Sequence, residues 1–264
     1  MAIAPSAPRV VACWARGRVS SVRDREGREG GDALRAGVKR AIDVLVSAIA
    51  LVVLLPVFVV IAVLVVIDSP GSVFYRAERV GFRGERLRML KFRKMHPTAQ
   101  GAALTTATDD RFTRVGRWLA RTKLDELPQL WHVLCGDMSL VGPRPESPSF
   151  VERFASDYDV ILTTRPGLTG YSQLAFAREG AILDPEDPQG HYVDRLLPQK
   201  VGLDRMYASR LSTRRDLRII VATFMTVFLR KPVAVHRETG HLTRRRRPAA
   251  QPVGAARNVP AEPS

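Results

Sequence analysis

The segment from Val44 to Ile67, VLVSAIALVVLLPVFVVIAVLVVI, carries no charged residue. As a helix it would be about 36 Å long at about 1.5 Å per residue, enough to cross a hydrocarbon core of about 30 Å. It begins too far into the chain, and runs too long, to be a cleaved leader. The expectation is a segment that stays in the protein and meets lipid. Pro56 stands near its middle, where it removes a backbone hydrogen bond and crowds the preceding turn, so the helix must kink or break. Each half alone is too short to span. Arg35, Lys39 and Arg40 precede the segment, and Arg76, Arg79, Arg83, Arg86, Arg88, Lys91, Arg93 and Lys94 follow it. A spanning helix tends to have one basic side. Basic residues at both ends fit a hairpin that dips in and returns, and a kinked spanning helix is the alternative these residues leave open.

The 264 residues, 45% of them hydrophobic, are enough to bury a core in one or two domains. A formal net charge of +15 calls for anionic partners: nucleic acid, phosphorylated substrates or an anionic membrane surface. Cys13 and Cys135 are far apart and have no metal-ligand spacing around them, which favours a reducing, cytosol-facing location. Residues 1–35 and 233–264 mix basic, small and proline residues without periodicity, including Arg244 to Arg247, and read as disordered basic tails. Between them lie a membrane segment, 36–68, and a domain, 69–232. No internal repeat is present.

Within that domain, SVFYRAERVGFRGERLRMLKFRKM reads as two short strands around a turn at Gly81 to Gly84. A helix is expected over Thr113 to Arg121. Leu127, Leu130, Trp131 and Leu134 then share one helical face, with Pro128 in the first turn and Asp125 as a natural N-cap. Two further helices are expected, Asp194 to Arg210 and Arg214 to Leu229. Leu217, Ile220, Val221, Phe224 and Phe228 of the last form an apolar stripe, suited to core packing or to a membrane surface.

Asp125 and Glu126 are the chemical centre of the sequence. Helix capping accounts for such a pair in the plainest way, because a helix N-terminus favours carboxylates. Arg121, Lys123 and Arg144 lie close in sequence, however, and a helix N-terminus also favours phosphate. A carboxylate pair among cations beside a membrane can bind Mg²⁺ and attack or position a phosphoryl group. The residues alone go no further than that class of chemistry.

The string Arg121-Thr122-Lys123-Leu124-Asp125-Glu126-Leu127-Pro128-Gln129-Leu130, followed by Gly136-Asp137-Met138-Ser139-Leu140-Val141-Gly142-Pro143-Arg144-Pro145, resembles the signature of the bacterial sugar transferases, the monotopic polyprenyl-phosphate phosphoglycosyl transferases. Lys39-Arg40-Ala41-Ile42-Asp43 before the proline-broken apolar helix, Lys91-Phe92-Arg93-Lys94-Met95, Thr108-Asp109-Asp110-Arg111 and Pro166-Gly167-Leu168-Thr169-Gly170 follow in the family's order. The similarity covers roughly residues 36 to 230.

The resemblance implies an α/β membrane-associated fold: a re-entrant helix broken at Pro56 and anchored by Lys39, Arg40 and Asp43, with a small cytoplasmic domain of short helices, a small sheet and amphipathic surface helices. It implies that Asp125 is the nucleophile on a nucleotide diphosphate sugar, a UDP-sugar by family habit. Glu126 would hold Mg²⁺ with Asp125 or orient it, and Arg144 would grip donor phosphate. Lys91 and Arg93 are further candidates for phosphate contact, with lipid head groups as competing partners. The acceptor would be polyprenyl phosphate, in the bacterial inner membrane with its anionic lipid, and the catalytic domain would lie on the cytoplasmic face. Asp109 and Arg111 read as structural partners, and so does His132, which stands where many relatives carry asparagine. Nucleic acid is not an expected partner, and a homodimer is compatible with these residues. Two other classes compete: a membrane-attached glycosyltransferase that releases nucleoside diphosphate, and a non-enzymatic membrane-tethered module that binds nucleic acid or lipid through basic tails.

Overall fold

A computed structural model describes residues 26–99, 104–105, 109–177, 179–184, 186–227, 229 and 233–244. The first element, helix α1 (Glu26–Asp68), is assigned as one helix through Pro56. Its contacts repeat with the helical period. Asp43, Ser47, Ile61 and Val65 are buried. Ala50, Leu51 and Leu54 pack on the main core, and Phe58 packs on a smaller cluster formed by Ile61, Val65, Phe92 and Leu119. One face of α1 therefore lies on the domain from residue 43 to residue 65. The other face leaves Leu45, Ile49, Val52, Val53, Val59, Val60, Val63 and Ile67 exposed.

After α1, strands β1 (Phe74–Val80) and β2 (Arg86–Phe92) form an antiparallel hairpin that pairs Phe74 with Phe92 and turns at Gly81 to Gly84, as the sequence leads one to expect. Helix α2 (Arg114–Thr122) is capped by Thr113, whose Oγ1 accepts the Gly116 N–H at 2.9 Å. Helix α3 (Gln129–Cys135) leads into strand β3 (Ser139–Val141). The chain continues through α4 (Pro148–Arg153) and α5 (Ala155–Ile161) to strand β4 (Gly167–Thr169), which pairs parallel with β3. Then come α6 (Tyr171–Ala175), α7 (Pro188–His191), α8 (Leu197–Ser209) and α9 (Thr213–Val227), before a hairpin of β5 (Val233–Val235) and β6 (Leu242–Arg244).

Among the described residues the strands form three separate two-stranded sheets rather than the single small sheet expected. The turn before α3, and α3 itself, pack against β2 and occupy the space beside the first hairpin. The tails also depart from expectation. Helix α1 already begins at Glu26, since a helix propagates from a stable segment at little cost per residue. Residues 233–244 form the last hairpin because Val233, Val235 and Leu242 find apolar partners in the main core. Residues 1–25 and 245–264, with most of the arginine run, lie outside the described residues.

The apolar run of α1 is tied to this same domain on both sides. Lys39 Nζ donates to Val141 O at 3.0 Å and pairs with Asp216 at 2.8 Å. Arg40 donates to Val133 O and Leu134 O at 2.6 and 2.8 Å, in the last turn of α3, where the helix dipole favours a cation. Asp43 Oδ1 accepts the Leu140 N–H at 3.1 Å. At the far end, Asp68 accepts the Val115 N–H at 2.8 Å, and Arg93 donates to Ser69 O and Pro70 O. The expected stripe on α9 is not its buried face: Leu217, Val221 and Phe224 are exposed, Ile220 is half-buried, and Ile219 and Ala222, off that stripe, are the buried apolar residues, while Phe228 lies outside the described residues.

Candidate active site

The acidic pair owes its position to the end of α2. Lys123 adopts a left-handed conformation (φ 61°), and the chain then makes a single 3₁₀ turn, Leu124–Glu126. Helix α3 starts only at Gln129, and its N-cap position is Pro128, with no side-chain cap. Asp125 is therefore not the N-cap expected from the sequence. The turn's own bonds, Glu126 N to Lys123 O and Leu127 N to Leu124 O, satisfy the local donors and leave the carboxylate to other partners. Trp131 departs from its expected place too: it is 55% exposed, and Leu130 and Val133 form the buried face of α3.

Asp125 is 2% exposed. Its Oδ2 lies 3.6 Å from Lys94 Nζ, and its Oδ1 is buried without a hydrogen-bond partner. Such an atom costs free energy in a folded protein unless a ligand satisfies it. Glu126 Oε1 accepts from Lys91 Nζ at 2.8 Å and from Arg144 at 3.0 Å. Burial opposes ionisation of Glu126, but Arg144, Lys91 and Lys123 outweigh it and hold the carboxyl well below the usual range. Burial pushes Lys91 down, against the pull of Glu126. Hence β2 supplies Lys91, the following segment Lys94, the 3₁₀ turn the two carboxylates, and the Gly142–Pro145 loop Arg144.

Arg93 does not join this group through its guanidinium nitrogens, two of which hold the end of α1. Asp109 and Arg111 pair with each other at 2.7 Å. His132 bridges β2 to α3, accepting the Leu90 N–H at 3.2 Å on Nε2 and meeting Asp137 at 2.9 Å on Nδ1, which is a structural role.

Arg144 is held from behind by groups the sequence reading gave no role. Its N–H donates to Asp204 Oδ2 at 3.2 Å. Next to it, Glu146 accepts from Tyr192 Oη at 2.9 Å and pairs with Lys200 at 3.0 Å, and Lys200 also meets Glu179 at 3.1 Å. A signal existed: Lys200 and Asp204 fall on the stripe of α8 that Leu197, Val201 and Tyr207 bury, where a polar residue demands partners. Burial pushes the Asp204 carboxyl up to about 7. In the unfolded chain this group ionises from about pH 4 upward, so its burial cost is absent in acid, grows as pH rises, and is complete only above the folded value. Asp204→Asn is therefore expected to raise Tm by a few degrees more at pH 8 than at pH 5. Thermal unfolding at the two pH values checks this, and equal shifts would contradict it.

Beside Glu126 opens a cavity of about 330 Å³. Lys123, Glu126, Arg144, Glu179 and Lys200 supply its charged lining, whereas α1, β4 and α9 supply apolar side chains. Among the described residues no three His, Cys, Asp or Glu side chains gather as a complete protein metal site. The residues do fit Mg²⁺ arriving with phosphate, because Asp125 Oδ1 lacks a partner and Mg²⁺ is commonly held by one or two carboxylates plus phosphate oxygens and water.

A family profile described as bacterial sugar transferase matches residues 34–230. The UDP-glucose:undecaprenyl-phosphate glucose-1-phosphate transferase of Caulobacter vibrioides is 36% identical over 204 residues, which cover 74% of this chain and 73% of that one. The exopolysaccharide production protein PSS of Rhizobium leguminosarum is 35% identical over 73% of this chain and 96% of its own. An Aeromonas hydrophila UDP-N-acetylgalactosamine-undecaprenyl-phosphate N-acetylgalactosaminephosphotransferase is 34% identical over 73% of this chain, which spans only 44% of that longer protein. The matched region runs from the helix that docks through Lys39, Arg40 and Asp43 to the end of α9, and takes in every group around Asp125 and Glu126: this chain belongs to the bacterial sugar transferase family.

Proposed function

We propose that this protein transfers a sugar 1-phosphate from a UDP-sugar to undecaprenyl or another polyprenyl phosphate, the first step of a lipid-linked glycan such as an exopolysaccharide. The observation that carries the reading is a buried Asp125 with one unpartnered oxygen, framed by Lys94, Lys91 and Arg144, on a domain that also holds a largely exposed apolar helix. The names of the relatives support the class of donor and acceptor.

In this reading an Asp125 carboxylate oxygen attacks the β-phosphorus of the donor. The bond from that phosphorus to the bridging oxygen breaks, and UMP leaves with the electron pair. The sugar phosphate remains on Asp125 as an acyl phosphate. A phosphate oxygen of the acceptor then attacks the same phosphorus, forming polyprenyl diphosphate sugar and freeing the carboxylate. Lys94, whose Nζ lies 3.6 Å from Asp125 Oδ2, is placed to meet the phosphate under attack. Glu126, ionised between Lys91 and Arg144, keeps both cations aimed at the diphosphate. Mg²⁺, held by Asp125 and Glu126, would supply charge neutralisation on the diphosphate. Two steps let a soluble donor and a membrane-borne acceptor use one site in turn.

The helix α1 would rest in the cytoplasmic leaflet of the inner membrane and return to the same face. Residues on both sides of its apolar run contact one domain, and Pro56 removes a backbone bond midway along that run, where a bend is cheapest. Leu217, Val221 and Phe224, with Trp118 and Trp131, would lie at the lipid interface.

The test is nucleotide release by detergent-purified protein given Mg²⁺, undecaprenyl phosphate and a panel of UDP-sugars. UMP from one donor, dependent on acceptor for turnover, is the expected result. Release of UDP would overturn the reading in favour of a direct glycosyltransferase.

A further inference from the structure

The loop from Gly142 to Glu146 carries Arg144 between two prolines, which have no N–H. Arg144 therefore supplies the one main-chain donor of the run from residue 143 to residue 145. The flanks of this run are tied to strands. Gly142 N–H donates to Thr169 O at 2.9 Å, Pro143 O accepts the Gly167 N–H at 2.8 Å, and Glu146 O accepts the Val80 N–H at 2.9 Å. The Arg144 N–H turns instead to α8, where Asp204 Oδ2 accepts it at 3.2 Å.

Asp204 stands on a firm support. It is 3% exposed, and Leu197, Val201, Leu203 and Tyr207 of the same helix are buried in the core. Lys200, one turn earlier on α8, pairs with the Glu146 side chain at 3.0 Å. The helix thus reaches the loop at two points, the main chain of Arg144 and the side chain of Glu146. A buried carboxylate is expensive unless its partners replace the lost hydration. Among the described residues Asp204 Oδ1 has no hydrogen-bond partner, so the repayment is incomplete. An apolar side chain of similar size would sit in this interior at less cost. It would, however, strand the Arg144 N–H, and the prolines on either side have no donor to take over the hold.

Asp204 is not part of the cavity lining, whereas Arg144 lines it and meets Glu126 at 3.0 Å. We infer that Asp204 is a positioning residue for the transfer reaction: by holding the Arg144 N–H from α8, it sets where the Arg144 guanidinium meets the donor diphosphate. The inference rests on the proposed reaction and adds to it a residue that acts through Arg144, not on the ligand. A displacement of about 1 Å at such a group can cost about a hundredfold in rate.

A double-mutant cycle on the full-length, detergent-purified protein tests this, read as single-turnover UMP release well below the Tm of each variant. Asp204→Leu should lower the rate by about tenfold to a hundredfold. In an Arg144→Ala background the same substitution should change it by less than about twofold, because the group it acts through is gone. Asp204→Asn keeps an oxygen acceptor at the same reach and should recover most of the lost rate. A purely structural Asp204 would cost the same factor in both backgrounds, and that result would overturn the inference, as would a native rate for Asp204→Leu. If leucine prevents folding, Asp204→Ala takes its place in the cycle.

Amide exchange separates the hold from the chemistry. Between residues 142 and 146 only Arg144 has a main-chain amide to exchange, so mass spectrometry can read it by itself. Asp204→Leu should speed this exchange about tenfold, and Asp204→Asn should leave it slow. Unchanged exchange in Asp204→Leu would overturn the inference. If the native protein releases no UMP from any donor while Arg144 exchange responds to Asp204, the transfer reading falls and the hold on Arg144 stands. If UMP release depends on Asp125 while the cycle is additive, the reading stands and the inference falls.

Discussion

Asp125→Asn is expected to lower UMP release at least about a thousandfold, the scale on which loss of a covalent nucleophile acts. The substitution keeps the size of the side chain and removes its charge. Because, among the described residues, Oδ1 has no hydrogen-bond partner and Oδ2 meets only Lys94 at 3.6 Å, the fold loses little when the charge goes. Thermal unfolding should therefore stay close to that of the native protein, and the activity loss would belong to chemistry. Incubated with donor alone, the native protein should gain the mass of a sugar phosphate that hydroxylamine removes, while Asp125→Asn gains nothing. The adjacent carboxylate differs in kind. Glu126→Gln takes a negative charge from between buried Lys91 and half-buried Arg144, so it should cost stability as well as rate. Release of UMP at the native rate by Asp125→Asn would exclude a covalent step through this residue.

Much of this arrangement was legible because several motifs carry their own physics. The apolar run announced a helix with a lipid-compatible face, though that helix runs through Pro56 unbroken, and the order of the Asp125-to-Pro145 string carried the family. Local turn chemistry was less legible. The pair Asp125-Glu126 looks like a helix start from spacing alone, yet Lys123 takes a left-handed conformation and a 3₁₀ turn intervenes. Periodicity equally misassigned Trp131, because a short helix pressed against α1 and β2 buries whichever face its neighbours cover. The network behind Arg144 was the least visible part. Glu146, Glu179, Lys200 and Asp204 are spread over nearly sixty positions, and only the fold brings them together.

The glycines of the two motif loops explain why those strings have the form they do, and they support the second large effect. A Cβ at Gly167 would stand 2.0 Å from Gly142 N and 2.5 Å from Thr169 O. One at Gly142 would meet Arg165 O at 2.4 Å, and one at Gly170 would meet Gly142 O at 2.2 Å. These obstacles are backbone atoms, which cannot swing aside as a flexible side chain can. The close approach joins β3 to β4 through Ser139 N to Pro166 O, Gly167 N to Pro143 O and Gly142 N to Thr169 O, all between 2.8 and 2.9 Å. Pro143 and Pro145 then carry the rigid turn straight into Arg144. Gly167→Ala must push the strands apart, at about 2–4 kcal/mol by analogy with overpacked cores. It also carries Arg144 away from Glu126, which leaves Lys91 as the one close cation of the pair. UMP release should therefore fall by more than the unfolded fraction explains, at temperatures well below the lowered Tm. Gly202→Ala, on the exposed side of α8 with nothing within 4 Å of its Cβ, should instead hold or raise stability by up to about 1 kcal/mol. Equal tolerance of the two substitutions would mean that the β3–β4 contact does not set the position of Arg144.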